Sequence, residues 1–244
     1  MLLLHGLGAS SHYWDEVTAR VEGHRMVMPD LLGFGRSLAP PDAAYDVACH
    51  LEALEPFVDD DMTVVGHSAG AILATALAAV HPDSVRRLIL VSAPAYPDRL
   101  IAQHEVDRLG TLARLTAEDR LGGRILCELM CHLRPAAIAL APLVVRDLPR
   151  EVAADGARHT WASYSRTLRR VVLDHLLVED LATVDVPITF IHGCDDHTAS
   201  ISHVRNLVSS ESAASRPVSL QVVPGDHHVP VRRPQVVAQA IAAT

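Results

Sequence analysis

Short apolar, often β-branched runs alternate along this chain with longer stretches in which apolar positions recur at helical spacing. Leu2–Leu4, Arg25–Asp30, Met62–Val65, Arg87–Val91, Pro187–Gly193 and Ser219–Val223 carry the first pattern. Their continuous apolar character suits strands of a parallel sheet covered on both faces. Between them, helices are predicted from near His12, over Tyr45–Asp59, Ala69–Val80 and Ser202–Ser209, and from Pro234 to Ala243. In the second of these, Val47, Leu51, Leu54 and Val58 share one face, and Pro56 should bend or shorten the helix. Alternating strands and helices with right-handed crossovers imply an α/β fold with a mostly parallel, doubly wound sheet. Residues 95–180 break the alternation. Helical segments there are separated by Gly110, Gly122-Gly123, Pro135, Pro142 and Pro149, with no strand pattern. The predicted organisation is therefore a core of residues 1–94 and 181–244 carrying a helical insertion of residues 95–180.

Composition narrows the class. With 244 residues, 49% of them hydrophobic and 20% charged, the chain can bury one sizeable core. A net charge of -8 without a basic stripe argues against a nucleic-acid partner. Cys49, Cys127, Cys131 and Cys194 lack disulfide or zinc spacing, and Cys127 and Cys131, four apart on a predicted helix, suit small core residues. Met1-Leu2-Leu3-Leu4 is too short for a signal or membrane segment. The expectation is a cytoplasmic protein with no membrane partner.

The chemistry concentrates at strand ends. Met62–Val65 runs into Gly66-His67-Ser68-Ala69-Gly70, after which the chain turns alanine-rich. A strand that becomes a helix at one serine leaves no room for side chains on either flank, which Gly66 and Gly70 satisfy. The Ser68 hydroxyl is then lifted above the sheet, and the Ala69 amide lies at a helix N-terminus where it can donate to a developing oxyanion. His5-Gly6-Leu7-Gly8 follows the first strand, and its glycines let backbone pass close to a small-molecule oxygen. His192-Gly193-Cys194-Asp195-Asp196-His197 looks at first like a dinuclear metal motif. Cys194 stands where that pattern needs a histidine, and neither a metal nor another cofactor is expected.

Four landmarks occur in the order found in the α/β-hydrolase superfamily, which this chain resembles. They are His5-Gly6-Leu7-Gly8, Asp30-Leu31-Leu32-Gly33-Phe34-Gly35-Arg36-Ser37, Gly66-His67-Ser68-Ala69-Gly70 and Gly193-Cys194-Asp195-Asp196. The resemblance implies a Ser-acid-His triad in chain order, with residues 95–180 as a cap over the site. It assigns Ser68 as nucleophile and the backbone amides of Leu7 and Ala69 as the oxyanion hole. For the acid, motif position favours Asp196 over its neighbour Asp195. For the base it favours His227 over His228, because His227 lies seven residues before Pro234, which opens the last helix. His67 is expected to pack behind the elbow, facing away from Ser68.

The implied reaction is hydrolysis of a small, largely apolar carboxylic ester, lactone or thioester through an acyl-enzyme on Ser68. An acyltransferase, cyclase, eliminating enzyme or C–C bond hydrolase using the same triad is the alternative, and a non-catalytic small-molecule receptor the third reading. Trp14 and Trp161 suit either pocket or core, and Arg169-Arg170 suits a solvated helix face. Family members commonly carry an antiparallel hairpin ahead of the first strand seen here. Either the sheet is truncated to about six strands, with an exposed edge by which a homodimer could form, or the start is internal to the true reading frame.

Overall fold

A computed structural model describes residues 1–109, 125, 133–210 and 216–243. Among the described residues, five strands form one sheet in the order β1 to β5: Leu2–Leu4, Met62–His67, Val85–Val91, Ile188–Gly193 and Val218–Val223. Every neighbouring pair is parallel. The predicted strand at Arg25–Asp30 shrinks to a single parallel bridge, Leu2 to Val27, held by Leu3 N–H to Val27 O and Val27 N–H to Met1 O, both 2.9 Å. Pro29 has no N–H to extend the ladder. The edge left open beside β1 thus belongs to the segment around Val27, and Leu2–Leu4 are buried.

Strand residues alternate between two cores, as a sheet covered on both faces requires. Leu3, Val65, Ile89 and Ile191 pack with Trp14, Val17, Val237 and Ile241 on one face. Leu2, Leu4, Val64, Leu88, Leu90 and Phe190 pack with the helix Ala69–Val80, with Leu51, Leu54 and Leu177, and with Val171 on the other. Trp14 is fully buried in the first of these cores and takes no part in lining the pocket at Ser68.

The chain leaves β1, visits the edge at Val27, and returns to the opposite side of β1 as β2. This reversal of winding opens a crevice at the carboxyl ends of β1 and β2, the usual ligand position in such sheets. The elbow between β2 and its helix makes the crevice possible. A Cβ on Gly70 would lie 2.3 Å from Leu4 O, and one on Gly66 would lie 2.3 Å from Gly70 O. Both obstacles are backbone and cannot swing aside. Gly70→Ala is accordingly expected to destabilise the protein by about 3 kcal/mol or more, beyond ordinary overpacking. A lowered urea midpoint would register it, and an unchanged midpoint would contradict the close packing.

Other predicted elements shift at their ends. The helix expected over Tyr45–Asp59 spans Val47–Leu54, capped by Asp46 Oδ1 on Cys49 N–H at 2.9 Å. Pro56 then sits in a 3-10 turn over Glu55–Phe57. Near His12 the helix is a 3-10 turn, Ser11–Trp14, followed by one α turn, Asp15–Thr18. The described part of residues 95–180, between β3 and β4, holds the helices Arg99–Arg108, Arg134–Val144, Arg150–Asp155 and Trp161–Thr167, the last continuing as a π-helical stretch over Leu168–Leu173. Pro142 does not separate segments as predicted but lies inside Arg134–Val144. It falls in the last turn, where its missing N–H leaves the carbonyl four residues earlier without an intrahelical donor, a loss limited to one backbone hydrogen bond. Arg169 and Arg170 are exposed, and Arg170 donates to Ala44 O at 2.9 Å. Cys127, Cys131, Gly110 and Gly122-Gly123 lie outside the described residues. No helix among the described residues is long and apolar enough to cross a membrane.

Candidate active site

The loop after β1 is fastened before it reaches the site. His5 Nε2 accepts from Leu31 N–H at 2.9 Å, so its proton is on Nδ1, 2.8 Å from Gly6 O. Burial holds this imidazole below its ordinary pKa, and it stays neutral. Asp30 accepts from the backbone amides of Ser11 and Arg36, at 2.7 and 2.9 Å. Burial opposes its ionisation, but the hydrogen bonds of Ser11 and Arg36, together with the nearby His5, outweigh burial and lower its pKa. Together they tie residues 5–11 to residues 30–36. The Leu7 and Ala69 N–H groups have no acceptor among the described residues.

Ser68 has φ 55° and ψ −120°, a conformation costly for any residue with a side chain. Its own N–H is bonded to Val91 O at 3.0 Å and its carbonyl to Ala71 N–H at 2.8 Å, so the elbow is clamped from β3 and from its helix. At the end of β4, Asp196 is buried and Asp195 is exposed. Asp196 Oδ1 accepts from Thr198 and Ala199 N–H, each at 2.9 Å. His192 Nε2 lies 3.3 Å from Oδ2 and 2.7 Å from Ala199 O. Burial alone would raise the carboxyl's pKa, yet the donors of His192, His227 and Ala199 reverse this and hold it far below the carboxylate range.

His227 Nδ1 lies 2.9 and 3.1 Å from the two Asp196 oxygens. An ionised carboxylate only accepts, so Nδ1 carries the proton and Nε2 presents a lone pair. The two loops meet because Gly193 has no side chain: a Cβ there would lie 2.4 Å from the carbonyls of Gly225 and Asp226. Ser68 and His227 line one cavity of about 190 Å³. In this structure neither the Ser68 hydroxyl nor His227 Nε2 is bonded to any described residue.

His228 is turned elsewhere, with Nδ1 2.8 Å from the Tyr13 hydroxyl. His67 does not face away from Ser68 but lines the same cavity, stacked on Tyr13 with ring centroids 4.6 Å apart. Its Nε2 is 2.9 Å from His227 O. Burial, then the neighbouring His227, push its pKa well below the ordinary value. The elbow residue before Ser68 therefore holds the backbone of the loop that bears His227.

Gly6, Leu7, Gly8, Ala9 and Tyr13 form the cavity's floor, and Val145, Leu148, Val152 and Ala153 come from the insertion. Asp155 attaches that insertion to the loop after β1. Its carboxylate is bonded to Ser10 Oγ and lies 2.8 Å from His12 Nδ1 and 3.1 Å from Arg158. The sequence suggests an apolar site under residues 95–180 but singles out neither Val145, Leu148, Val152 and Ala153 nor Tyr13 as part of it. Val145 and Leu148 lie between the helices Arg134–Val144 and Arg150–Asp155, so no helical period marks them, and nothing local marks Tyr13, which faces His228 across 215 residues.

A nucleophile-elbow turn on a parallel doubly wound sheet, with an Asp-His pair at later strand ends, defines an α/β-hydrolase architecture. Comparison agrees: residues 1–240 match the model of the alpha/beta hydrolase family, and the chain belongs to that family. Over 105 residues it is 36% identical to a protein of Arabidopsis thaliana named "Probable lysophospholipase BODYGUARD 4", covering 40% of this chain and 25% of that protein. The match thus spans about a quarter of the plant relative's length. An uncharacterised protein of Mycobacterium tuberculosis is 28% identical over 260 residues, covering 94% of this chain and 70% of the relative. Among solved structures, E-2-(acetamidomethylene)succinate hydrolase superposes with a TM-score of 0.73 at 19% identity, covering 100% of this chain and 90% of the other. An esterase from Thermogutta terrifontis gives 0.67 at 21%, covering 99% and 87%. At these identities the structural likeness concerns the fold.

Proposed function

We propose that this protein is a serine hydrolase of small, largely apolar carboxylic esters or thioesters. The observation that carries the reading is the Asp196–His227 pair, with His227 in the tautomer a general base needs, sharing one cavity with Ser68. His227 Nε2 takes the hydroxyl proton as Ser68 Oγ bonds to the substrate carbonyl carbon. The carbonyl oxygen becomes an oxyanion received by the Leu7 and Ala69 amides. When the tetrahedral intermediate collapses, the ester C–O bond breaks and the proton on His227 passes to the departing alcohol. Water repeats the sequence on the acyl-enzyme and restores Ser68. Asp196 stays ionised and stabilises the imidazolium, as its hydrogen bonds favour. The strained Ser68 backbone and the unengaged Leu7 and Ala69 amides support the same assignment.

The insertion acts in this reading as a cap whose Val145, Leu148 and Val152 receive the apolar part of the substrate. About 190 Å³ accommodates a short chain. Val152→Phe should lower kcat/KM for 4-nitrophenyl hexanoate about tenfold or more while sparing the acetate. An equal loss on both esters would place Val152 outside the acyl site. Labelling of the native protein, but not of Ser68→Ala, by a fluorophosphonate tests the reading as a whole. Labelling without turnover of any simple ester would favour a transferase or C–C hydrolase using the same residues, and no labelling would sink both.

A further inference from the structure

The cavity beside Ser68 has one polar wall that the triad does not use. Tyr13 is buried, with 3% of its surface exposed, and its hydroxyl has two imidazole neighbours. These are His228 Nδ1 at 2.8 Å and His67 Nε2 at 3.5 Å. The protons on this wall can be placed one after another. His227 O can only accept, so His67 Nε2, 2.9 Å away, carries a proton and donates it there. His67 Nε2 therefore offers nothing to the Tyr13 proton. The remaining acceptor is His228 Nδ1, at good hydrogen-bonding distance. Were the proton on His228 Nδ1 instead, the Tyr13 hydroxyl would hold a buried proton with no acceptor, a costly arrangement.

His228 is thus the Nε2–H tautomer. Burial and the nearby His227 both lower its pKa and favour the neutral ring, and burial raises that of Tyr13 well above its ordinary value, so the phenol keeps its proton. The His228 backbone is fixed as well, by its N–H to Asp226 Oδ1 at 3.0 Å, while Asp226 is paired with Arg232 at 3.3 Å. Nε2 has no partner among the described residues, and His228 lines the cavity that holds Ser68. The result is an oriented, uncharged hydrogen-bond donor in the cavity that holds Ser68 and His227.

We infer that His228 Nε2–H, oriented through Tyr13 and His67, binds an uncharged acceptor oxygen carried by the substrate in addition to its scissile ester group, and so selects oxygenated esters over purely hydrocarbon ones. This selectivity rests on the hydrolase reading above. An ether, hydroxyl or second carbonyl oxygen satisfies a neutral donor, whereas an ammonium group would meet a donor where it needs an acceptor. Leaving such a donor opposite a methylene forfeits a hydrogen bond at the moment water is excluded.

Two isosteric substrate pairs test this, each replacing one methylene by oxygen. One pair is 4-nitrophenyl butanoate and 4-nitrophenyl methoxyacetate, which varies the acyl arm. The other is butyl acetate and 2-methoxyethyl acetate, which varies the alcohol arm. Because oxygen alters intrinsic reactivity, the readout is the oxygenated-to-hydrocarbon ratio of kcat/KM in the native protein divided by that in His228→Leu. It should be roughly 3 to 10 for one pair, as for a neutral hydrogen bond, and should partly recover in His228→Gln. A quotient within twofold of one for both pairs overturns the inference while leaving hydrolysis intact.

Imidazole nitrogen NMR of the native protein checks the tautomer without mutation or turnover. A protonated His228 Nδ1 at neutral pH also overturns the inference. If no ester is hydrolysed and Ser68 resists the fluorophosphonate, the hydrolase reading fails by itself. The donor is then judged by whether diethyl ether, and not isosteric pentane, moves the His228 Nε2–H signal. Equal responses to the ether and the alkane overturn it.

Discussion

Ser68→Ala is expected to slow hydrolysis of a short 4-nitrophenyl ester by at least about 10⁴-fold, the scale of losing the nucleophile of a triad. The residue that remains cannot form an acyl-enzyme, so the Leu7 and Ala69 amides and the cavity would account for any residual rate. Stability should respond in the opposite sense, and to a different substitution. With φ 55° and ψ −120°, Ser68 lies where an L side chain is strained, whereas glycine finds there the mirror image of an ordinary extended conformation. Ser68→Gly should relieve a strain of about 1 to 3 kcal/mol, less a few tenths to about 1 kcal/mol for the freer unfolded chain. A Tm above that of Ser68→Ala, with both variants inactive, is the expected result. Retained turnover in Ser68→Ala would remove Ser68 from the chemistry, and a lower Tm in Ser68→Gly would contradict the strain.

Asp196→Asn should reduce kcat by about 10⁴-fold with little change in KM, because an amide can donate to His227 Nδ1 and favour the tautomer in which Nε2 no longer accepts. It should also destabilise the protein. The native carboxylate receives Thr198, Ala199, His192 and His227, and an amide presents one oxygen and two competing donors to them. The sign of the pH dependence follows from the lowered pKa. Folded Asp196 ionises more readily than it does in the unfolded chain, near about 3.9. Its stabilisation is full above that value and is lost as pH falls toward the depressed folded pKa. The stability gap between native protein and Asp196→Asn should be constant from about pH 5 to neutrality and narrow below about pH 4. A gap that widens on acidification would mean that Asp196 is not the ionised partner of His227.

Much of the core was legible because its signals are local. The apolar runs at Leu2–Leu4, Met62–Val65 and Arg87–Val91 each lie within a strand of the observed sheet, and Gly66 and Gly70 announced the close approach later seen at Leu4 O and Gly70 O. Arg25–Asp30 was overread because its apolar residues resemble a strand, while pairing depends on a neighbour and is cut short at Pro29. Pro142 was overread in the other direction, since a proline removes one backbone hydrogen bond without always ending the helix that contains it. His67 was misplaced because the direction of one side chain depends on the Tyr13 ring and on His227 O, which arrive from distant parts of the chain.

By itself the sequence determined the strand and helix alternation, the elbow at Ser68, and the loops that bear Leu7, Asp196 and His227. These are properties of hydrophobic period and backbone space, which neighbouring residues settle among themselves. Motif position favours Asp196 over Asp195 and His227 over His228, but which side chains meet in space is a matter of tertiary structure, which pairs Asp196 with His227 and Tyr13 with His228. Adjacent side chains leave a loop in different directions, and the partners that capture them are 31 residues away for Asp196 and His227 and 215 for Tyr13 and His228. The same holds for the protons: which nitrogen of His67, His227 or His228 carries one follows from acceptors that only folding brings within reach.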